Sequence, residues 1–431
     1  MKTGRLAGLA PGRGFTYAGI ILVIGMLVVL ITGFMEFAHS LTIPSMKDDL
    51  GLSNTQVGLL LTVLGTVRMG SCLVAGNLAA RLESRYLVGI GTVGTGFSML
   101  LLGYSPNYAV ALASMALMGL GFGFAMIPMI GLIAPWFEMQ SRGTVAGLFS
   151  AGGSLAFVIS GLVVPQLVDG SPESGWRHSW IIFGVLALVV GAVAMLLLKD
   201  RPKDPEAVVT QLMAAETPGP HQARSGWALE VYKNPYVWLL TLMAFCSGAG
   251  GNVFNTFFGE FLEAKGESLA TAGQLLLLIG VLAGASSVVW GRMSDRLGRG
   301  PAFALSFGIQ GLGFILLWFS PGLAMFIVAS TFLGLTLRAA FTLCAAGSGD
   351  HVPVRFAAAA FGLISIGANL GSIVSPPLAG VIADAAGIGW VFAVALGASV
   401  IGVAFSTFLR TPVPQATPAA IEPPTVNPPN S

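Results

Sequence analysis

Twelve times along this chain an apolar run of about 20 residues recurs, each long enough to cross roughly 30 Å of hydrocarbon at about 1.5 Å of rise per residue. We place the runs at 18–41, 54–79, 86–104, 108–132, 143–168, 178–198, 236–259, 270–290, 301–319, 322–346, 356–382 and 389–409. Nothing else in the sequence constrains the fold as strongly. Backbone in hydrocarbon must satisfy its own N–H and C=O groups, so runs of this length and spacing are read as helices and the chain as an all-α membrane protein. The composition agrees: 9% of residues are charged, against about a quarter in a soluble domain. The first run is too long for a signal-peptide core and no small-residue cleavage site follows it early, so it is expected to remain as the first helix.

The few charges are sorted by side. With both ends inside, sixteen of the 21 Lys and Arg fall in segments on the side of the termini, and only Lys47, Arg177 and Lys265 fall on the other. Positive charge is retained on the cytoplasmic side, so the residues before the first helix (1–17), the linker (199–233) and the tail (411–431) are expected in the cytoplasm. The linker, from "KDRPKDPEAVV" to "EVYKNP", is polar, charged and Pro-containing. The tail, rich in Pro and poor in apolar area, is expected to be disordered. A net charge of +2 offers no basic face, so nucleic acid is not an expected partner. Cys72, Cys246 and Cys344 all lie within apolar runs and read as packing residues rather than as disulfides or metal ligands.

The linker separates six runs from six, giving halves at 18–198 and 234–410, and the halves resemble each other. "GNLAARLESR" at 76–85 and "GRMSDRLGRG" at 291–300 share Gly, Arg and Leu at an offset of 215 residues, but Ala80 stands where the second copy has Asp295. Gly119 and Gly334 share that offset, as do "GGSL" at Gly152 and "GANL" at Gly367, while Trp176 and Trp390 are 214 apart. A nearly constant offset across several landmarks indicates a duplicated six-helix unit, and two such halves around a central cavity are a transporter architecture.

"GRMSDRLGRG" resembles the loop between the second and third helices of a half in the major facilitator superfamily, whose signature is G-x-x-x-D-R-x-G-R, and "SGWRHSW" at 174–180 is similar to the family's approach to its sixth helix. The resemblance covers residues 18–410. It implies a twelve-helix secondary transporter of the bacterial inner (cytoplasmic) membrane, working by alternating access, functional as a monomer and without a cofactor. It also implies a gating role for Gly291, Asp295, Arg296, Arg299 and, in the first copy, Arg81. Physically, an Asp at a helix end can accept from a neighbouring helix N-terminus and from Arg, latching one side shut. With only one acid the gate would be asymmetric; alternatively, Arg81 and Arg85 are only positive-inside anchors. The sequence departs from the family's proton-coupled members at Met115, where they carry Arg, and "AGGSLAFVISGLVVPQL" lacks the Gly-Pro signature of drug antiporters.

Charges inside the membrane are the candidate site. A charge near the bilayer centre costs about 2.5–3.5 kcal/mol, so it faces a cavity, finds a partner or snorkels. Arg68 and Arg338 lie at similar depths, one per half, and no acid at their depth within the twelve runs is available to neutralise them. A planar guanidinium suits bidentate binding of a carboxylate or another oxyanion, which points to an anionic substrate. Glu36 and His39, three apart on one helical face, are the proton-coupling candidates, with His39 alone also readable as an interfacial residue. In "GAGGNVFNTFFGE", Gly248, Gly250 and Gly251 permit an unwound segment at which Asn252 and Asn255 could bind substrate; helix packing accounts for them equally well. Glu260, Glu263 and Glu267 read as a solvated outer loop.

Three functions follow. The first is secondary transport of a small, carboxylate-like organic anion with proton symport. The second is proton-coupled efflux of amphiphiles, served by an adaptable pocket of Phe and Met. The third is a transport fold acting as a receptor or assembly component. No nucleophile–base or metal constellation and no nucleotide loop of the G-x-x-x-x-G-K-[ST] type is present, so neither an enzyme nor an ATP-driven pump is expected.

Overall fold

The computed structural model describes residues 13–79, 81–132, 136–137, 142–171, 174–200, 231–348, 350, 352 and 357–409. Most of the expected linker, the tail, Ala80 and the first twelve residues lie outside that set. Among the described residues the chain is helical with no strand, and twelve of its segments are long and apolar enough to cross a membrane.

The first half is built from α1 (Arg13–Phe37), α2 (His39–Leu50), α3 (Asn54–Ala79), α4 (Ser84–Gly103), α5 (Tyr108–Gly131), α6 (Arg142–Gly170) and α7 (Gly175–Leu197). The second comprises α8 (Pro235–Ala264), α9 (Leu269–Leu297), α10 (Arg299–Trp318), α11 (Leu323–Thr336), α12 (Ala339–Gly347), α13 (Ala357–Ala386) and α14 (Val391–Ser406). Ala38, itself in the helical region, joins α1 to α2, and the tenth crossing is divided between α11 and α12. Residues such as Leu73, Phe97, Leu196 and Phe319 stand exposed on the outside of the bundle, where hydrocarbon rather than water would surround them.

Small residues set the interhelical distances, because helices in lipid associate by close packing rather than by hydrophobic exclusion. A Cβ on Gly91 of α4 would lie 2.4 Å from the backbone nitrogen of Ala125 in α5. A Cβ on Gly123 of α5 would reach 2.5 Å from the Ser71 backbone of α3. The glycine-rich stretches of the third and fourth crossings are therefore packing surfaces. Aromatic stacks fill the half-cores, Phe34 on Phe183 at 4.2 Å in the first and Phe261 edge-on to Phe392 at 5.0 Å in the second.

The two halves meet along α3 against α13, α6 against α9, and α2 against α8. We call the end of the bundle bearing the chain termini proximal and the other distal. Among the described residues, the charged side-chain ties across the halves are distal. Asp384, near the end of α13, accepts from the backbone N–H groups of Asn54 and Thr55 at 2.9 Å each, and from the Thr55 hydroxyl at 2.6 Å. Lys47 of α2 donates to Asn54 at 2.7 Å and pairs with Glu260 of α8 at 2.5 Å. Gly259 touches the Ser40 backbone so closely that a Cβ would sit 1.9 Å from its carbonyl oxygen. Glu260 is thus not part of a solvated loop, as its sequence context suggested, but a partly buried tie between halves.

Candidate functional site

A cavity of about 240 Å³ lies between the halves, and every membrane-embedded candidate from the sequence lines it: Glu36, His39, Arg68, Asn252, Asn255 and Arg338. Its apolar wall includes Met35, Leu61, Phe157, Ile279 and Phe341.

The first correction concerns neutralisation. Arg68 is not without an acid, because its Nη1 donates to Glu36 Oε1 at 2.5 Å. The two are 32 residues apart on α1 and α3, and only the packing of those helices reveals that they share a level. Arg68 also lies over the Phe122 ring at 5.3 Å. Two repelling arginines therefore do not describe the empty cavity. Arg338 has no carboxylate partner among the described residues and occupies the break between α11 and α12. The cavity accordingly presents one neutralised and one unneutralised guanidinium.

The second correction concerns Gly248, Gly250 and Gly251. They do not unwind the seventh crossing, since α8 is continuous from Pro235 to Ala264. Gly248 instead admits α13, with its would-be Cβ 2.1 Å from the Ala368 carbonyl oxygen. The interruption between helices falls instead in the tenth crossing, at Leu337 and Arg338, where the backbone stays in the helical region. Asn252 donates to the Ser372 carbonyl at 2.5 Å, whereas the Asn255 amide lines the cavity without a hydrogen bond to any described residue. His39 is buried rather than interfacial, tilted against Trp180 at 4.8 Å, and its Nε2 has no partner.

At the proximal end, Gly298, in a left-handed conformation at φ 89°, lets α9 pass into α10 within one residue. That turn brings Arg299 against Asp295 at 3.2 Å, Asp350 at 2.8 Å and the Ser294 hydroxyl at 2.5 Å. Asp295 is 70% exposed and pairs with no residue of the other half among the described residues, whereas Asp350 is largely buried. Arg81 and Arg296 are exposed, and a Cβ on Gly291 would meet nothing. Asp350 is a partner of Arg299 that the motif does not announce, lying 51 residues beyond it. Near the first copy, Asp200 accepts from the Arg85 backbone N–H at 3.1 Å; burial pushes its carboxyl up, opposed by the hydrogen bond.

Twelve crossings in two related halves, enclosing a cavity with ionisable walls, define a membrane transport fold. The chain belongs to the Major Facilitator Superfamily, whose family model matches residues 25–288 and 240–428; it is not an enzyme. Relatives include the "Membrane sensor protein UhpC" of Salmonella typhimurium, 26% identical over 85% of this chain and 86% of that one. Another is a "Probable hexose phosphate transport protein" of Chlamydia trachomatis, 24% identical over 70% and 72%. A third is the "Probable galactarate/D-glucarate transporter GudP" of Bacillus subtilis, 24% identical over 81% and 82%. Among solved structures, an inward-facing, unoccupied bacterial homologue of the lysosomal transporter Spinster superposes with a TM-score of 0.74 at 16% identity, covering 93% of this chain and 95% of that one.

Proposed function

We propose that the protein is a secondary transporter of a small organic anion, carboxylate-like and proton-coupled, working by alternating access with the proximal side cytoplasmic. The observation that carries this reading is the cavity's pair of guanidiniums, one held by Glu36 and one unneutralised. Arg338 attracts an anion directly. Arg68 becomes available once Glu36 lets go, and protonation of Glu36 is what would release it. Proton and anion then bind together, which is symport. Asn255 supplies a neutral donor and acceptor beside them. The relatives named for hexose phosphate and for galactarate and D-glucarate, all anionic, support the substrate class. Ionic walls make an amphiphile-efflux pocket the poorer description.

The distal ties support a state open to the cytoplasm, in which the Asp295 latch is disengaged. A second reading has its own support: the relative named as a membrane sensor has this length and similarity, so the same cavity could report an anion without moving it. Uptake of labelled D-glucarate, tartrate and hexose phosphate into proteoliposomes, with and without an inward-acid gradient, tests both. Gradient-stimulated accumulation is expected. Saturable binding without uptake would favour the sensor, and neither binding nor uptake of any anion would refute the proposal.

A further inference from the structure

α13 carries Pro376 and Pro377 side by side in mid-helix. Neither has an N–H, so the carbonyls four residues earlier, Ser372 and Ile373, lose their ordinary helical donors. In hydrocarbon a freed carbonyl must find another donor or water. Both find side chains. The Ser372 carbonyl accepts from Asn252 of α8, in the same half, at 2.5 Å. The Ile373 carbonyl accepts from the Thr62 hydroxyl of α3, in the opposite half, at 2.7 Å.

The surrounding contacts make these two bonds unequal. α13 is further fastened to α8 by Ser372 to the Gly248 carbonyl at 3.3 Å and Ser375 to the Ala249 carbonyl at 3.0 Å. The bond to Thr62 crosses to the other half, where Gly58 admits the prolines themselves: a Cβ there would lie 2.5 Å from the Pro376 carbonyl oxygen. The α6–α9 seam repeats the device. Pro165 of α6 frees the Gly161 carbonyl, and Gly273 of α9 packs on it so tightly that a Cβ would come within 2.1 Å. Both of these seams thus place a proline-freed carbonyl at the crossing, but among the described residues only the α3–α13 seam gives it a hydroxyl donor.

We propose that the Pro376–Pro377 pair makes the Ile373 carbonyl a switchable tie: it holds Thr62 while the distal side is closed and passes to water when that side opens. The role rests on the alternating-access reading. The prolines keep this acceptor unclaimed by its own helix, so the tie can form and break without unwinding α13. Its neighbour, the Ser372 carbonyl, is held by Asn252 at the cavity wall, which places the tie beside the cavity.

The test measures conformation and needs no substrate. Spin labels are placed at Pro106 and Ala386, exposed distal positions in opposite halves, in full-length protein in nanodiscs with the three cysteines replaced. Pulsed electron resonance gives the ratio of distal-open to distal-closed molecules. Thr62→Val is expected to raise that ratio about fivefold, the change corresponding to one net hydrogen bond of about 1 kcal/mol. Thr62→Ser, which keeps the hydroxyl, should leave it near wild type. Pro377→Ala restores an in-helix donor to the Ile373 carbonyl and should raise the ratio as well, while the double variant should go no further than the larger single effect. An unchanged ratio in Thr62→Val, or effects of Thr62→Val and Pro377→Ala that simply add, would overturn the proposal. Failure of the uptake experiment with normal conformational shifts would instead fault the transport reading alone.

Discussion

Replacing Glu36 with Gln is the perturbation that most directly tests how the cavity works. In the unbound protein Arg68 is engaged by Glu36 at 2.5 Å, so an incoming anion competes with a carboxylate already in place. A hydrogen bond to a charged group contributes about 1.5–3 kcal/mol. The Glu36 side chain is 36% exposed, which places the competition near the lower end, about 1.5 kcal/mol, or roughly a tenfold penalty on anion affinity. Glu36→Gln removes the negative competitor and should tighten anion binding about tenfold. Equilibrium binding in nanodiscs, paired with counterflow and gradient-driven uptake in proteoliposomes, checks each part. Counterflow should persist in Glu36→Gln while accumulation driven by a pH gradient disappears, since a group that cannot titrate cannot link proton to substrate movement. A variant that binds no tighter than wild type and still accumulates substrate against its gradient would refute the reasoning.

Arg68→Lys should reduce uptake at least tenfold despite preserving charge, because an ammonium cannot reproduce the bidentate fork; Arg338→Ala should weaken binding by a similar factor, and unchanged affinity in Arg338→Ala would dismiss the anion site. Asp295→Asn should lower turnover and favour the cytoplasm-facing state with anion affinity in the outward-facing state nearly unchanged, since its exposed pair with Arg299 contributes at most about 1 kcal/mol here; loss of that affinity with an unchanged conformational balance would contradict a latch. Cysteines placed singly in the 199–233 linker should resist membrane-impermeant thiol reagents in intact cells, and labelling there would invert the assigned orientation.

Much of the site was legible one residue at a time. Arg68, Arg338, Glu36 and the two asparagines stand out because polar groups in long apolar runs are costly and need an explanation. Their partners were not legible. Glu36 and Arg68 lie at different distances from the ends of their runs, and helix continues beyond the first run through α2 to Leu50, so counting residues by depth failed to bring them together. The glycines of the seventh crossing misled for a related reason: a glycine that permits unwinding and one that admits a neighbouring helix look the same in a sequence. Lys47 with Glu260, Arg299 with Asp350, and Asp384 with the start of α3 connect elements whose adjacency no local pattern encodes.

What the sequence by itself determined is whatever depends on segment length, composition and repetition: twelve helices, the duplicated half, the family motif at 291–300 and the sorting of basic residues by side. These follow from the solvent, because hydrocarbon imposes helix on every long apolar run and the membrane asymmetry sorts the charges. The tertiary structure alone decided which charges neutralise one another and which helices of the two halves are tied together. A pairing between helices is a relation between two surfaces, fixed by the glycines and prolines that set how closely and at what level the helices meet. Thr62 reaches the Ile373 carbonyl at 2.7 Å only because Gly58 lets α3 lie against the prolines that freed it.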